Sequence, residues 1–445
     1  MLENITIQDK FYYGLPCVWD GEKYILLSAR NKRVIRLSKE LLVLPSTKAR
    51  LEDIGFFKNP EQRKNNVARL GLILTTACNL KCKYCYVIND YSPHFMEAEY
   101  AIRILKEYSK KNYDELHLSF FGGEPTLNPG ALKTSIEYVE NHWDKYIFHI
   151  TTNGTAETSL YDYLISKDFY FTLSMDGTPK INSVQRPYSK KSNGNYLENI
   201  LGHFVRNDVL FQIRVTVTSL NLGHFPEFIK YCADYGVKYI HFEVVSTNST
   251  NSHLLPSKTD YINVLMKAIE VASKNDIFLI NSAYMNLLTP CDHFCRSVAG
   301  EKILYTPDKY ISLCYKIQSH KTKYTDFIIG KYSSVKDSFE IDRERISKMK
   351  NLSVYSYSEC KDCFAKSICA GGCPERNITS TGSLGKIDKW ICSIKKMLIH
   401  DAIIKIYNHS KAGKESAILG NNYYEFKIHE KSRGGENERK ERVIC

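Results

Sequence analysis

From Leu70 onward, short apolar runs of strand length alternate with longer stretches of helical period, and this alternation restricts the fold more than any other feature of the chain. Six runs qualify as strands: 70–76, 115–121, 147–152, 169–175, 210–218 and 237–245. Helices are predicted near 97–110, 128–141, 157–166, 196–205, 226–235 and 259–273. Repeated β-α units of this kind wrap around a parallel sheet, so the fold class is α/β, and six units predict an open barrel rather than a closed one of eight.

The rest of the chain divides around that core. Its 445 residues, 43% of them hydrophobic, suffice for two to four folded domains. Residues 1–69 carry Trp19-Asp20-Gly21-Glu22 between two β-rich runs, which reads as a hairpin turn, followed by a helical stretch at 37–44. That predicts a short N-terminal α+β segment ahead of the barrel at 70–285. After residue 280 the alternation stops, and 286–400 hold eight of the fourteen cysteines together with Gly371-Gly372, which predicts a small metal-organised domain. Residues 401–445 end a helix and run into a polar tail of mixed charge, expected to be mobile.

Lys and Arg number 61 against 49 Asp and Glu, a formal charge of +12, and residues 30–69 alone hold eleven Lys/Arg and four Asp/Glu. The basicity is local, at the front end. No run approaches the eighteen apolar residues a bilayer span needs, and Met1-Leu2-Glu3-Asn4 lacks the start of a secretory signal, so the expected location is the cytoplasm. In a reducing compartment, clustered cysteines are better explained by metal ligation than by disulfides.

Cys78-Asn79-Leu80-Lys81-Cys82-Lys83-Tyr84-Cys85 sets three thiols at C-x3-C-x2-C directly after the first predicted strand, at the carboxyl end where catalytic groups of such barrels gather. A structural zinc takes four protein ligands, whereas a [4Fe–4S] cluster held by three thiolates keeps one iron open for a small molecule. A zinc knuckle completed by His117 or His149 is the alternative.

With the aromatic Tyr84 before its third cysteine, the motif resembles the signature of the radical S-adenosylmethionine (SAM) enzymes. Further matches follow in order: Gly122-Gly123-Glu124-Pro125, Thr152-Asn153-Gly154 and Ser174-Met175-Asp176-Gly177. The resemblance implies a partial TIM-like (β/α)6 barrel in which Cys78, Cys82 and Cys85 hold the cluster and are indispensable for catalysis. It implies that the loop of Gly122, Gly123 and Glu124 receives the methionyl amine of SAM. Tyr84, Asn153, Ser174, Asp176 and an arginine, either Arg186 or Arg214, would complete the cofactor site. Reductive cleavage of SAM then supplies a 5′-deoxyadenosyl radical that abstracts hydrogen from the substrate.

Downstream come Cys291, Cys295 and Cys314, then the run Cys360-x2-Cys363-x5-Cys369-x3-Cys373, and finally Cys392: eight ligands, or two sites of four. Alone, such spacing suits two zinc ribbons. The array resembles the SPASM domain, an extension of some radical SAM enzymes that carries two auxiliary [4Fe–4S] clusters. By that resemblance Cys291, Cys295, Cys314 and Cys373 hold auxiliary cluster I, and Cys360, Cys363, Cys369 and Cys392 hold auxiliary cluster II. Three clusters then use eleven cysteines; Cys17 and Cys445 have no assigned role, and Cys232 reads as a packed apolar residue.

Two positions depart from the pattern. Lys309 stands where the family usually has a Gly, five residues before the third array cysteine. Tyr315 follows Cys314 where the sulfatase-activating subfamily has an Asp acting as proton acceptor. A phenol is a poor base, so Tyr315 is either a redox-active or proton-donating catalytic residue or a packing aromatic.

SPASM-bearing enzymes mostly modify peptides. The resemblance therefore implies a ribosomally made peptide substrate receiving a thioether or carbon–carbon crosslink or an epimerised centre, with a flavodoxin or ferredoxin as electron donor. Oxidation of a protein side chain in the sulfatase-activating manner, and a non-catalytic zinc-stabilised binding protein, are the alternatives. The basic front segment is either a short leader-peptide recognition module or a cap on the barrel. No nucleic-acid-binding motif is visible, and neither nucleic acid nor membrane is expected as a partner.

Overall fold

The structure is a computed structural model that describes residues 10–12, 15–28, 33–57, 66–87, 93–188, 196–247, 251–287, 289–411, 424–430 and 437–443. Strands β1 (Lys10–Tyr12), β2 (Leu15–Trp19), β3 (Tyr24–Ser28) and β4 (Arg33–Leu37) form an antiparallel sheet in that order. The β2–β3 turn is where the sequence predicts it: Asp20 accepts the amides of Glu22 and Lys23 at 3.0 and 2.8 Å, and Gly21 takes φ +104°. One face of this sheet, Cys17, Tyr24 and Leu26, closes a small core with Leu42, Leu51 and Phe56 from helices Lys39–Val43 and Pro45–Asp53 and the turn after them. The other face, Val18, Ile25 and Leu27, joins the main core. The module sits on the long helix Lys389–Lys411, whose His400 bonds the Trp19 carbonyl through Nε2 at 3.0 Å.

All six predicted barrel strands are present as β5 (Val67–Thr75), β6 (Glu115–Gly122), β7 (Lys145–Thr152), β8 (Tyr170–Ser174), β9 (Phe211–Val217) and β10 (Tyr239–Val244), each parallel to the next. A seventh, β11 (Phe278–Ile280), pairs parallel to β10. The six predicted helices appear as Ala98–Ser109, Pro129–His142, Thr158–Ile165, Tyr196–Arg206, Phe225–Asp234 and Lys258–Lys274. One more, Pro179–Gln185, starts on Pro in its first turn.

Strand period two divides each barrel strand between two environments. Leu118 and Phe120, Phe148 and Ile150, Phe171 and Leu173, Ile213 and Val215, and Ile240 and Phe242 are almost fully buried in the core shared with the helices. Each such side chain contributes about 1.5–3 kcal/mol by leaving water. The alternating residues, Ser119, His149, Thr172, Ser174, Gln212, Arg214, His241 and Glu243, point to the opposite, inner face. The barrel interior therefore carries these polar groups beside an apolar cluster of Ile147, Tyr170, Tyr239 and Ile280.

The predicted metal domain is less separate than the sequence suggests. Its first strand, β12 (Ile303–Tyr305), pairs parallel to β5, and β13 (Tyr310–Ser312), β14 (Ile328–Ser333) and β15 (Ser338–Ile341) continue the same sheet antiparallel. Runs of three residues such as 303–305 are too short to stand out by period. The β12–β13 turn keeps its shape despite the missing Gly: Lys309 itself takes φ +68°, and the Asp308 carboxylate accepts Ser319 Oγ and the His320 amide at 2.7 and 2.9 Å. Arg376 ties the later cysteine region to the barrel, donating from Nη1 to the carbonyls of Val244 and Val245 at 3.1 and 3.0 Å and from Nε to Asp388 at 2.9 Å.

Beyond the long helix, β16 (Tyr424–Glu430) and β17 (Asn437–Val443) pair antiparallel. Tyr424, Phe426 and Ile428 alternate with polar residues, a strand pattern within an otherwise charged stretch. Cys445 lies outside the described residues. Among them no helix is long and apolar enough to cross a membrane.

Candidate active site

Cys78, Cys82 and Cys85 lie on the loop that leaves β5. Its backbone is anchored on two sides. The amides of Gly123 and Glu124, at the end of β6, donate to the Thr75 and Ala77 carbonyls at 2.8 Å each, and the amides of Lys81 and Lys83 donate to Pro187 and Gln185 at 2.7 and 2.9 Å. The glycines are required by contact: a Cβ on Gly122 would stand 2.2 Å from the Thr75 oxygen, and one on Gly123 would stand 2.2 Å from the Ala77 oxygen. The Glu124 carboxylate is taken up by neighbouring loops. It is 1% exposed and accepts Thr126 Oγ1, Thr152 Oγ1 and the Asn153 amide at 2.7, 2.8 and 2.7 Å. Burial nevertheless raises its carboxyl pKa. Glu124 thus staples the loops after β6 and β7 together, while Asn153 turns its Nδ2 to Asn79 Oδ1 at 2.9 Å and to the Cys78 sulfur at 3.8 Å.

Asp176 and Arg186 form a second anchor. Asp176, 2% exposed, also accepts the Tyr84 hydroxyl at 2.5 Å and the Thr216 amide at 2.8 Å, and Arg186 Nη1 faces the Cys82 sulfur at 4.0 Å. Burial works against the Arg186 charge, but the Asp176 carboxylate more than offsets it and holds the guanidinium ionised. The two arginines the sequence leaves open differ in their surroundings. Arg186 is occupied by Asp176, whereas Arg214 has a buried Nη1 with no hydrogen-bond partner. Arg214 is flanked on the inner face by His241 and by Glu243, whose carboxyl burial raises but His241 and Arg214 bring down to about 2. Ser174 ends β8 beside Arg214 in the register.

Burial pushes the Cys78 thiol up to about 11 and the Cys82 thiol up to about 12. Ionised sulfur here needs a cation, which would displace the protons, so the donor set fits an iron–sulfur cluster. The histidines that could complete a zinc site are elsewhere. His117 pairs in register with Arg69 and bonds Glu115; His149 pairs with Ser119 and bonds Thr172 Oγ1 at 2.9 Å. At about 3.3 Å per residue both stand well short of the carboxyl end.

The second array is partly brought together. Cys360, Cys363, Cys369 and Cys392 line one small cavity, together with Gly371, Gly372 and Lys395. Cys295 and Cys314 have Cys373 as their electrostatic neighbour, and Cys291 lies near both Cys295 and Cys369. Among the described residues, no group of three metal-ligating side chains closes on one point as a single-ion site requires. Tyr315, next to Cys314, reaches the barrel: its ring lies 4.7 Å from that of Phe121, against Gly71 of β5, with Lys302 Nζ 5.0 Å from its centroid.

Sequence reasoning singled out neither Lys302, His241, Glu243 nor Lys395. The period-two alternation of β10 carried the signal for the middle pair. Of the remaining cysteines, Cys17 and Cys232 are fully buried in apolar surroundings.

Residues 72–202 match the family model of the Radical SAM superfamily, and the chain accordingly carries a radical SAM domain, the class that uses SAM beside a [4Fe–4S] cluster. Over 257 residues it is 26% identical to uncharacterized protein MJ0907 of Methanocaldococcus jannaschii, a match covering 56% of this chain and 85% of that protein. The next three curated relatives are matched over less than half of their own length. The fold is similar to that of anSMEcpe with bound AdoMet and Kp18Cys peptide, with a TM-score of 0.62 at 20% identity over 78% of this chain and 99% of that one. It is also similar to Streptococcus suis SuiB bound to precursor peptide SuiA, at 0.54 and 14% over 82% and 96%.

Proposed function

We propose that this radical SAM enzyme acts on a ribosomally made peptide and carries three [4Fe–4S] clusters, one on Cys78, Cys82 and Cys85 and two on the downstream array. One observation carries the reading: Tyr315, adjoining Cys314, packs against Phe121 and Gly71, so the second array opens onto the same inner face as the first. A substrate held there would lie between the two cysteine arrays. The peptides bound in two structures of similar fold, Kp18Cys and SuiA, support that substrate class.

When bound, SAM and its cluster would supply a 5′-deoxyadenosyl radical that abstracts a hydrogen atom from the peptide. The chain's own residues do the positioning. Gly122 and Gly123 let backbone come close enough to cradle the methionyl end, and Asn153, Ser174 and Tyr84 border that space. Arg214 offers its unpartnered Nη1 to a carboxylate. Asp176, Arg186 and Glu124 hold these loops in place. Tyr315 faces the substrate space, where the sulfatase-type reaction would need a base; a phenol favours crosslinking or epimerisation over that reaction. The N-terminal sheet, with β1 and β4 as its edges, would dock a leader segment by strand addition. Arg36 there is already taken up by Asp20 and Glu22. A flavodoxin or ferredoxin would deliver electrons, and a cytoplasmic setting suits both the thiols and that donor.

The test is anaerobic reconstitution with iron and sulfide, which should load about twelve of each, four per cluster. Reductive incubation with SAM and short peptides encoded beside the gene should then yield 5′-deoxyadenosine and a peptide of altered mass or altered chirality. A colourless, zinc-loaded protein that leaves SAM intact would overturn the proposal.

A further inference from the structure

The helix Lys389–Lys411 carries Cys392 and, one turn on, Lys395. Lys395 is 3% exposed, and its Nζ is buried without a hydrogen-bond partner. An ammonium withdrawn from water and left unpaired costs several kcal/mol, so the bare protein is incomplete at this point. The side chain is not loose: Nζ lies 4.2 Å from the ring centroid of Phe294, the residue before Cys295. Its electrostatic neighbours are the Glu243 carboxylate and several cysteine sulfurs. Lys395 lines the cavity formed by Cys360, Cys363, Cys369 and Cys392, and it is also an electrostatic neighbour of Cys291 and Cys373 from the inner set. Lys396 is a neighbour of Cys363 and Cys392, both of the outer set.

We propose that Lys395 is a shared internal counter-charge for the two auxiliary clusters, a positioning residue that donates to cluster or thiolate sulfur and makes one-electron reduction easier. This rests on the three-cluster reading above. Four thiolates on an oxidised [4Fe–4S] core carry a net charge of about −2, and one-electron reduction brings it to about −3. A fixed cation inside low-dielectric surroundings favours the more negative state, so it raises the reduction potential. Burial removes the solvent screening that would blunt the effect of a surface lysine.

The experiment uses the full chain with Cys78, Cys82 and Cys85 replaced by Ala, so that only auxiliary clusters load, and compares Lys395→Met and Lys395→Arg with that parent. Iron analysis comes first, then redox titration followed by electron paramagnetic resonance. About eight iron per chain in the parent is expected. With iron retained, Lys395→Met should shift an auxiliary midpoint to more negative potential, and Lys395→Arg should restore most of the shift. Loss of iron in the Met variant with retention in the Arg variant also supports the proposal, because charge alone then decides retention. Full iron with unchanged midpoints in both variants overturns it while leaving the cluster reading intact. A parent that binds no iron overturns the cluster reading and the proposal with it.

Discussion

Arg186 donates from Nε and Nη2 to the two carboxylate oxygens of Asp176 at 2.7 and 3.0 Å, a two-pronged ion pair with both partners nearly inaccessible to water. Asp176 comes from the end of β8 and Arg186 from the end of the helix that follows, and the next residue, Pro187, accepts the amide of Lys81 between two of the cysteines. The ion pair therefore sets where the cysteine loop lies.

Removing one partner of a buried pair leaves the other uncompensated. Asp176→Asn is expected to cost about 3–5 kcal/mol in stability, read by urea denaturation, and to lower iron at the first site. A joint Asp176→Leu, Arg186→Met replacement should lose less than the single change, because it strands no charge.

Gly123→Ala puts a Cβ 2.2 Å from the Ala77 oxygen, an approach that backbone cannot absorb cheaply. Iron should fall from about twelve toward about eight per chain, and SAM cleavage should disappear. Gly130→Ala, at a position with nothing within 4 Å, is the control and should match the parent in both assays.

Lys309 occupies the left-handed region at φ +68°, where a side chain costs about 1–2 kcal/mol. Lys309→Gly removes that strain while giving up backbone entropy and an exposed ion pair to Glu97 at 3.0 Å. The expected result is an unchanged or higher thermal midpoint. A clear fall would show that the lysine stabilises the turn in some further way.

Burial lowers the pKa of His149 to about 3 and that of His241 to about 4, with Lys302 and Arg214 respectively adding to the effect. The unfolded chain binds these protons near pH 6.5 and the native chain does not, so stability is intact above that pH and falls as pH drops below it. The urea midpoint between pH 7 and 5 should decline less steeply in His149→Gln than in the parent.

The barrel was legible because its strands obey period two on one face and its helices obey a longer period. The cysteine loop was legible because ligand spacing is local. Three things were not. β12, β13 and β15, of three, three and four residues, are too short to register by pattern. The pairing of Arg186 with Asp176 spans ten residues and a short helix that the sequence did not reveal. Lys395 reads as an ordinary helix lysine until packing against Phe294 takes it out of water.

β12 is stitched to β5 through Ile303–Tyr305, and Arg376 clasps the far end of β10. Among the described residues, backbone pairing and these hydrogen bonds join the two thiol arrays along that route. Any charge hopping from one to the other would cross a gap whose width is dictated by strand alignment, so its tunnelling rate would be inherited from the backbone and would be insensitive to domain breathing.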